Sequence, residues 1–323
     1  MKTLIIGGGG MVGQKLAQSL ADDPETEHDE VTLFDMAFPT VGAPAARRVT
    51  GNVTDTAAIQ KLADERFDLI FYLVAIVSGE AEANFDLGWN VNMVAFRNFL
   101  EAMRAEHDAS QGAYVPRVIF TSSIAVFGPP FPDQIPDDFP TNPLTSYGAQ
   151  KAISELMLTD YIRKGYLDGL SIRLPTIVVR PGKANLAASS FFSGIIREPL
   201  NGEVAILPVE DTVRHWHASP RSAAGFLRHA ATLDLDQIGP KRALSMPGVS
   251  CTVAEQIEAL REVAGNDAVA LIKREPDETI MRIVKGWPRN FAPEKAKALG
   301  FTAETTFAEI IQTYIDDYLT PPA

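Results

Sequence analysis

Short β-rich runs and longer helical segments alternate through the first half of this chain. The runs are rich in β-branched and aromatic residues and begin at Thr3, Val31, Arg47, Leu69, Arg117 and Leu170. Segments with helical periodicity lie between most of them, at 11–21, 56–65, 83–104 and 146–164. Consecutive parallel strands need crossover helices, so this alternation predicts an α/β fold with a doubly wound parallel sheet.

A glycine-rich loop separates the first predicted strand from the first predicted helix. It reads GGGGMVG, so Gly7, Gly10 and Gly13 form a Gly-x-x-G-x-x-G pattern that encloses Met11 and Val12. Glycines allow the backbone to approach a pyrophosphate, and the N–H groups at the helix start bind its charge. The loop therefore predicts a dinucleotide site of the Rossmann type.

An acidic residue ends the second predicted strand, VTLFD, at Asp35. A carboxylate at this distance from the loop accepts hydrogen bonds from the adenosine ribose and repels a 2′-phosphate, which predicts NAD rather than NADP. The alternative is that Asp35 is a solvated loop residue. Asn52 and Val53, in the GNVTD stretch, are weaker candidates for adenine contacts, because asparagine is common in turns.

The alternation stops after Arg173, where a long segment rich in glycine, proline and small polar residues begins. We expect residues 1–173 to form the NAD-binding domain, with a segment at about 213–233 returning to it. Residues 174–212 and 234–323 are then expected to form a smaller C-terminal substrate-binding lobe.

Composition excludes several classes of partner. The net charge is −12 and the pI is about 4.9, which argues against nucleic acid and against an anionic membrane. No apolar run reaches the roughly 18 residues that a membrane span needs, and the N-terminus predicts a strand rather than a signal peptide. The single cysteine, Cys251, excludes an internal disulfide framework. We therefore expect a soluble cytoplasmic protein that binds a small molecule.

Hydroxyl and basic side chains mark a candidate catalytic set. The strand run VIFTSS ends in Ser123, and strand ends of a parallel sheet border the ligand crevice. Tyr147 and Lys151 are four residues apart, which places them on one face of a helix. Taken alone, such a pair is more typical of an ordinary amphipathic helix.

Together with the glycine loop, these motifs resemble the extended short-chain dehydrogenase/reductase superfamily, the NAD-dependent epimerases and dehydratases. The resemblance implies that Ser123, Tyr147 and Lys151 are catalytic, with Tyr147 as the base and Lys151 also binding the nicotinamide ribose. A neighbouring ammonium group and the positive nicotinamide ring both favour the phenolate.

The resemblance also implies further NAD contacts, and these are Leu73, Ala75, Asn92, Pro175 and Thr176. Asn92 could equally be a polar residue on the solvent side of its helix.

Longer stretches, among them TSYGAQKAISELMLTDY and RHWHASPR, resemble sugar-acid dehydrogenases of this superfamily. This implies oxidation of the C2 hydroxyl of D-erythronate. A small hydroxy acid needs a cation and polar groups, for which the candidates are Ser78, Ser123, Tyr147, Arg180, Lys183 and Arg214. His215 and His217 share a strand face but lack a carboxylate or thiol at ligand spacing, so no metal site is expected.

Three hypotheses remain open at this point. The first is a dehydrogenase with net NAD reduction, the second a nucleotide-sugar epimerase or dehydratase with tightly bound NAD, and the third a non-catalytic NAD-binding scaffold. The Ser-Tyr-Lys set argues against a scaffold. The resemblance also implies a homodimer through the helices near 84–104 and 146–164, where apolar residues exceed one core face; they could instead be buried within one subunit. These residues are Phe96, Phe99, Leu156 and Leu158.

Overall fold

The computed structural model describes residues 1–22, 30–43, 47–182 and 188–319. By internal contacts the chain divides into two compact units. The first comprises Met1–Val126, Thr145–Leu174 and Ala224–Leu244, and the second Phe127–Leu144, Pro175–Ala223 and Ser245–Ala323.

Fourteen strands are formed by the described residues, and all six predicted strands are among them. They are β1 Lys2–Ile6, β2 Glu30–Asp35, β3 Arg47–Thr50, β4 Leu69–Tyr72, β5 Arg117–Ser123, β6 Ile135–Pro136, β7 Asp168–Leu174, β8 Thr176–Ile177, β9 Ala205–Leu207, β10 Arg214–Ala218, β11 Ala243–Ser245, β12 Val249–Thr252, β13 Ile272–Arg274 and β14 Phe291–Ala292.

Twelve α-helices lie between or after these strands within the described ranges. They are α1 Met11–Ala21, α2 Thr56–Ala63, α3 Ser78–Ala83, α4 Phe85–Trp89, α5 Ala95–Ala109, α6 Ser146–Arg163, α7 Ser190–Leu200, α8 Pro220–Thr232, α9 Val253–Ala270, α10 Glu278–Val284, α11 Glu294–Ala298 and α12 Phe307–Tyr314. None of the described helices is long and apolar enough to span a bilayer.

The two-unit division differs from the predicted one in two places. Phe127–Leu144 belongs to the second unit, and the segment that returns to the first unit is Ala224–Leu244 rather than 213–233. The backbone explains the second difference. Because β10 pairs with β8 and β12 in a separate three-stranded sheet, its hydrogen bonds hold it in the second unit.

The first unit is built on a seven-stranded sheet in the order β11-β7-β5-β4-β1-β2-β3. The strands from β7 to β3 pair in parallel, as the alternation of strands and helices predicts. The strand order reverses between β1 and β4, and the carboxyl ends of strands at such a point border a ligand crevice. The Leu73 N–H donates to the Ile6 carbonyl at 2.8 Å there, so Gly7 and Leu73 follow adjacent strand ends.

The predicted helix over 83–104 is interrupted. Asn84 caps α4 by accepting the Leu87 N–H, and a wider π-helical turn, Asn90–Val94, separates α4 from α5. Such single π turns inside α-helices are frequent at functional sites. Asn92 is the buried residue of this turn.

The core of the first unit contains three of the four apolar residues that were predicted for a dimer surface. Phe96, Phe99 and Leu158 are at most 1% exposed and pack in that core, so their assignment to a subunit interface is wrong. Leu156 is 71% exposed. Its helix face therefore points to the outside of this unit.

Candidate active site

The glycine loop has the close backbone packing that a dinucleotide site requires. Gly7 has a φ of +93°, and its N–H donates to the Phe34 carbonyl at 2.8 Å. A Cβ on Gly13 would lie 2.3 Å from the Gly7 carbonyl oxygen, which no larger residue tolerates. Gly10 precedes α1 without a side-chain cap, so the first N–H groups of α1 remain available for an anion.

Asp35 lies against this loop. Its Oδ2 accepts the Gly9 N–H at 2.9 Å and its Oδ1 accepts the Met36 N–H at 2.7 Å. A Cβ on Gly9 would meet the Ala37 carbonyl oxygen at 2.0 Å. The carboxylate is therefore oriented beside the glycine loop, which fits the ribose hydroxyls of NAD and disfavours the 2′-phosphate of NADP. The alternative of a merely solvated loop residue does not describe it.

Other predicted cofactor contacts follow neighbouring strands. Asn52 is exposed and its Oδ1 accepts the Thr54 N–H at 3.0 Å, a turn that needs no ligand, while Val53 is buried. Leu73 packs against Gly7, because a Cβ added to Gly7 would lie only 3.2 Å from the Cβ of Leu73. Ala75, which follows β4, is half-buried. Contacts of these residues with NAD remain predictions.

The helix α6 begins just before Tyr147. Thr145 accepts the Gly148 N–H at 3.1 Å and caps the helix, which fixes its first turn. Lys151 follows one turn later, with its ammonium nitrogen 5.7 Å from the centroid of the Tyr147 ring. Ser123 ends β5, and its Oγ accepts the Ala125 N–H at 3.1 Å.

Lys151 is almost completely buried. Its Nζ donates to the Thr121 carbonyl at 2.7 Å and lies 4.5 Å from the centroid of the Phe120 ring. Burial lowers the pKa of Lys151 to about 7, against an opposing effect of Glu155. A buried lysine on an amphipathic surface helix would be unusual. The structure therefore brings together Tyr147, Lys151 and the strand that ends in Ser123, and the chance-pair alternative loses its basis.

Asn92 joins the π turn to the residue beside Lys151. Its Oδ1 accepts the Ile76 N–H at 2.7 Å, and its Nδ2 donates to the Ile76 carbonyl at 3.0 Å and to Gln150 Oε1 at 2.7 Å. Asn92 is 2% exposed, so the solvent-side alternative is wrong. Its role toward the cofactor remains a prediction.

Sequence reasoning missed two buried charged side chains next to this set, which are Glu155 and Arg173. Two signals could have found them. Glu155 follows Lys151 at helical spacing on a buried face, and Arg173 is a charged residue within an otherwise apolar strand. Charges in such positions are rarely buried without a partner.

Thr176 in the second unit has a defined hydrogen-bonding partner. Its Oγ1 lies 2.6 Å from His215 Nε2, and His215 Nδ1 lies 2.9 Å from the Pro288 carbonyl oxygen. A carbonyl only accepts, so Nδ1 carries the proton and Nε2 accepts the Thr176 proton. The Thr176 hydroxyl can therefore only accept a hydrogen bond from a ligand, such as one from a carboxamide N–H.

The two histidines of β10 are core residues. His215 stacks on Phe192 with ring centroids 5.3 Å apart, and burial lowers the pKa of His215 to about 4. His217 is fully buried beside Gln256. Among the described residues no group of three histidine, cysteine, aspartate or glutamate side chains could hold a metal ion.

The predicted substrate cations differ in their surroundings. Arg214 pairs with Glu255 at 3.1 Å and donates to the Ser250 carbonyl at 3.0 Å, so part of its charge is already balanced. Arg180 is half-buried and its Nε donates to the Ile177 carbonyl at 3.0 Å. Lys183 lies outside the described residues. Ser78, the first residue of α3, is half-buried.

Comparison with known proteins agrees with this geometry. The profile of the NAD dependent epimerase/dehydratase family matches residues 3–232. The chain belongs to this family. NAD is accordingly its cofactor, and the glycine loop with Asp35 fits the dinucleotide.

Two curated relatives align with nearly the whole of this chain. The D-erythronate dehydrogenase of Cupriavidus necator is 43% identical over an alignment 325 residues long, which covers 98% of each chain. The D-erythronate dehydrogenase of Haemophilus influenzae is 40% identical over 98% of this chain and 99% of its own. A crystal structure from Agrobacterium tumefaciens, described as a nucleoside-diphosphate-sugar epimerase, is 54% identical with a TM-score of 0.94, covering 99% of this chain and 94% of that one.

Proposed function

We propose that this protein oxidises the C2 hydroxyl of D-erythronate to the 2-oxo acid with NAD. One observation carries the chemistry, namely the buried Lys151 whose ammonium group lies one helical turn from Tyr147 and 2.7 Å from the Thr121 carbonyl. The substrate follows from the full-length similarity to two D-erythronate dehydrogenases.

Tyr147 acts as the general base. The phenolate takes the proton of the C2 hydroxyl while the C2–H bond breaks and the carbon–oxygen double bond forms. NAD, when bound, supplies the acceptor for the hydride that leaves C2. Ser123 donates a hydrogen bond to the reacting oxygen and holds it beside Tyr147.

Lys151 makes this base available at neutral pH. A tyrosine has an ordinary pKa near 10, and an adjacent ammonium group favours the phenolate. Burial also makes Lys151 itself lose its proton more readily. Lys151 is also proposed to bind the nicotinamide ribose.

The substrate carboxylate needs a cation, and Arg180, Lys183 and Arg214 are the candidates. Arg180 is favoured over Arg214, because Glu255 already pairs with the Arg214 guanidinium. Ser78 is proposed to bind a hydroxyl of the substrate. Pro175 and Thr176 are proposed to contact the nicotinamide, with the Thr176 oxygen accepting a carboxamide hydrogen bond.

A nucleotide-sugar epimerase with tightly bound NAD is the second candidate. It is favoured by the description of the Agrobacterium structure as a nucleoside-diphosphate-sugar epimerase. The two reactions differ in their balance, because an epimerase returns the hydride to its substrate and forms no net NADH.

We also propose a homodimer in the cytoplasm, where NAD is available. Phe85, Val94 and Leu156 are exposed apolar residues on α4, the π turn and α6, and they lie 59%, 37% and 71% exposed. Leu156 stays a candidate for the interface, and Phe85 and Val94 take the place of Phe96, Phe99 and Leu158.

The deciding experiment measures NADH formation with purified protein, NAD and a panel of four-carbon sugar acids, with a UDP-sugar in parallel. We expect turnover on D-erythronate and a loss of roughly 10²–10⁴-fold in Tyr147→Phe, the range for general base catalysis. Inactivity on every acid together with epimerised UDP-sugar would replace the dehydrogenase by the epimerase.

A further inference from the structure

A buried ion pair lies beside the catalytic residues of the first unit. Arg173 in β7 donates from Nε and Nη2 to the two carboxylate oxygens of Glu155 in α6, at 2.8 and 2.7 Å. The Ser122 hydroxyl of β5 donates to Glu155 Oε1 at 2.5 Å. The side chains of Arg173 and Glu155 are only 3% and 6% exposed.

This network joins α6 and β5, which carry the proposed catalytic groups, to the neighbouring strand β7. Glu155 follows Lys151 by one helical turn on α6. Ser122 stands between Thr121, whose carbonyl accepts the Lys151 ammonium group, and Ser123. A shift of α6 along β5 would therefore break the Ser122–Glu155 and Lys151–Thr121 hydrogen bonds together.

Packing alone does not explain why this position holds charges. Burying a carboxylate and a guanidinium costs desolvation energy, and well-packed apolar residues often join such elements at lower cost. Charges beside a lysine do something that apolar residues cannot, because they set the electrostatic potential at its ammonium group.

We propose that Glu155 and Arg173 are positioning residues for Tyr147 and Lys151, which hold α6 in register and balance the charge beside the ammonium group. The proposal rests on the proposed function, since it assigns these residues to the Tyr147–Lys151 pair. Glu155 favours the protonated lysine, in agreement with its opposing effect on the Lys151 pKa, while Arg173 limits that effect.

Other charged groups on elements packed against α6 are partly or fully exposed. On the helices α3, α4 and α5, which pack against α6, they include Glu80, Glu82, Asp86, Arg97, Glu101 and Arg104. At the opposite ends of β5 and β7 lie Arg117 and Asp168. Glu155 and Arg173 are therefore the charges whose neutralisation should change the Tyr147–Lys151 pair most.

The test neutralises each charge separately and then both together. Glu155→Gln makes the site more positive, so the apparent pKa of the acidic limb of kcat/KM should fall by roughly one unit. Arg173→Gln makes the site more negative and should raise that apparent pKa by a similar amount. The double variant restores neutrality and should return close to the wild-type value.

Glu101→Gln is the control variant, because Glu101 has similar contacts at a greater distance from Lys151. Glu101 also pairs with an arginine, Arg104, and accepts a hydroxyl of α6, that of Tyr161. Tyr161 follows Lys151 by ten residues, or about 15 Å along the helix. Glu101→Gln should therefore leave the apparent pKa unchanged, and an equal shift in this variant would overturn the proposal.

A second measurement needs no turnover. The ultraviolet absorbance of tyrosinate, compared with and without Tyr147→Phe in each background, follows the ionisation of Tyr147 directly. Opposite shifts in the two single variants support the proposal even if the protein is inactive on sugar acids, which would overturn only the proposed function. Unchanged titration in both would reduce the ion pair to a packing role.

Single neutralisation leaves a buried charge unbalanced and can prevent folding. The charge-swapped variant Glu155→Arg/Arg173→Glu then replaces the single variants, because its pair stays neutral. It places a guanidinium one turn from Lys151, so its apparent pKa should lie below that of the Gln/Gln double variant. Equal values in the two double variants would contradict the proposal.

Discussion

At the scale of single residues, we propose that Asp35 sets the preference between the two nicotinamide cofactors. Its carboxylate is held by the N–H groups of Gly9 and Met36 and is oriented beside the glycine loop. The charge repels a phosphate and the oxygens accept ribose hydroxyls. The role in cofactor selection stays a prediction from the sequence, and the two hydrogen bonds explain why the side chain lies beside the loop.

Asp35→Ser should therefore weaken NAD use and improve NADP use. We expect the ratio of kcat/KM for NAD to that for NADP to fall by at least roughly tenfold, which corresponds to about 1.4 kcal/mol. Asp55→Ser is a suitable control, because Asp55 caps α2 with its carboxylate and has no assigned contact with NAD. An unchanged ratio in Asp35→Ser would remove Asp35 from cofactor selection.

His215 couples folding to pH. Its folded pKa of about 4 lies below the ordinary 6.5, because burial disfavours the charged ring. The unfolded chain therefore takes up the proton first as the pH falls. The stabilisation is complete above about pH 6.5 and is lost progressively as the pH falls from there toward 4.

The free energy of unfolding should thus fall by about 2 kcal/mol between pH 7 and pH 5 through His215. His215→Phe keeps an aromatic ring beside Phe192 but cannot titrate, so its urea midpoint should change less over that interval. Parallel pH dependence in wild type and variant would show that another group carries the effect.

At the scale of elements, periodicity predicted where the strands and helices lie, but not which face of each helix meets the core. Phe96, Phe99 and Leu158 looked like surplus apolar residues in sequence and are core residues in the structure. The π turn at Asn90–Val94 rotates α5 relative to an uninterrupted helix, and no local pattern indicated that turn.

Phe96→Ala should test that assignment. Phe96 packs against Tyr72 and Phe120, with ring centroids 4.8 and 4.4 Å away. The substitution should lower the free energy of unfolding by about 3–5 kcal/mol, as for other buried phenylalanines. Leu156→Ala, on an exposed face, should change it by no more than about 0.5 kcal/mol under conditions in which the protein is monomeric.

At the scale of the whole molecule, the homodimer is a proposal, for which the exposed apolar residues Phe85, Val94 and Leu156 are the candidate contacts. In a dimer they would be buried, which removes apolar area from water. A charge introduced at one of these residues would then be buried without a partner.

Leu156→Glu should therefore convert a dimer into a monomer, as measured by sedimentation or light scattering. Ile206→Glu is the matched control, because Ile206 is also an exposed apolar residue, 44% exposed, on β9 of the second unit. A wild-type protein that is monomeric at micromolar concentration would contradict the proposed dimer.

The sequence by itself determined the α/β class, the glycine loop with Asp35, and the Tyr147–Lys151 spacing. All of these are local, because strand and helix periods and turn residues act over a few positions.

Only the tertiary structure decided that Glu155, Arg173 and Ser122 meet beside Lys151, since they come from α6, β7 and β5. It also decided that Glu255 already pairs with Arg214. Contacts between residues far apart in the chain depend on strand order and helix register, which no local pattern encodes.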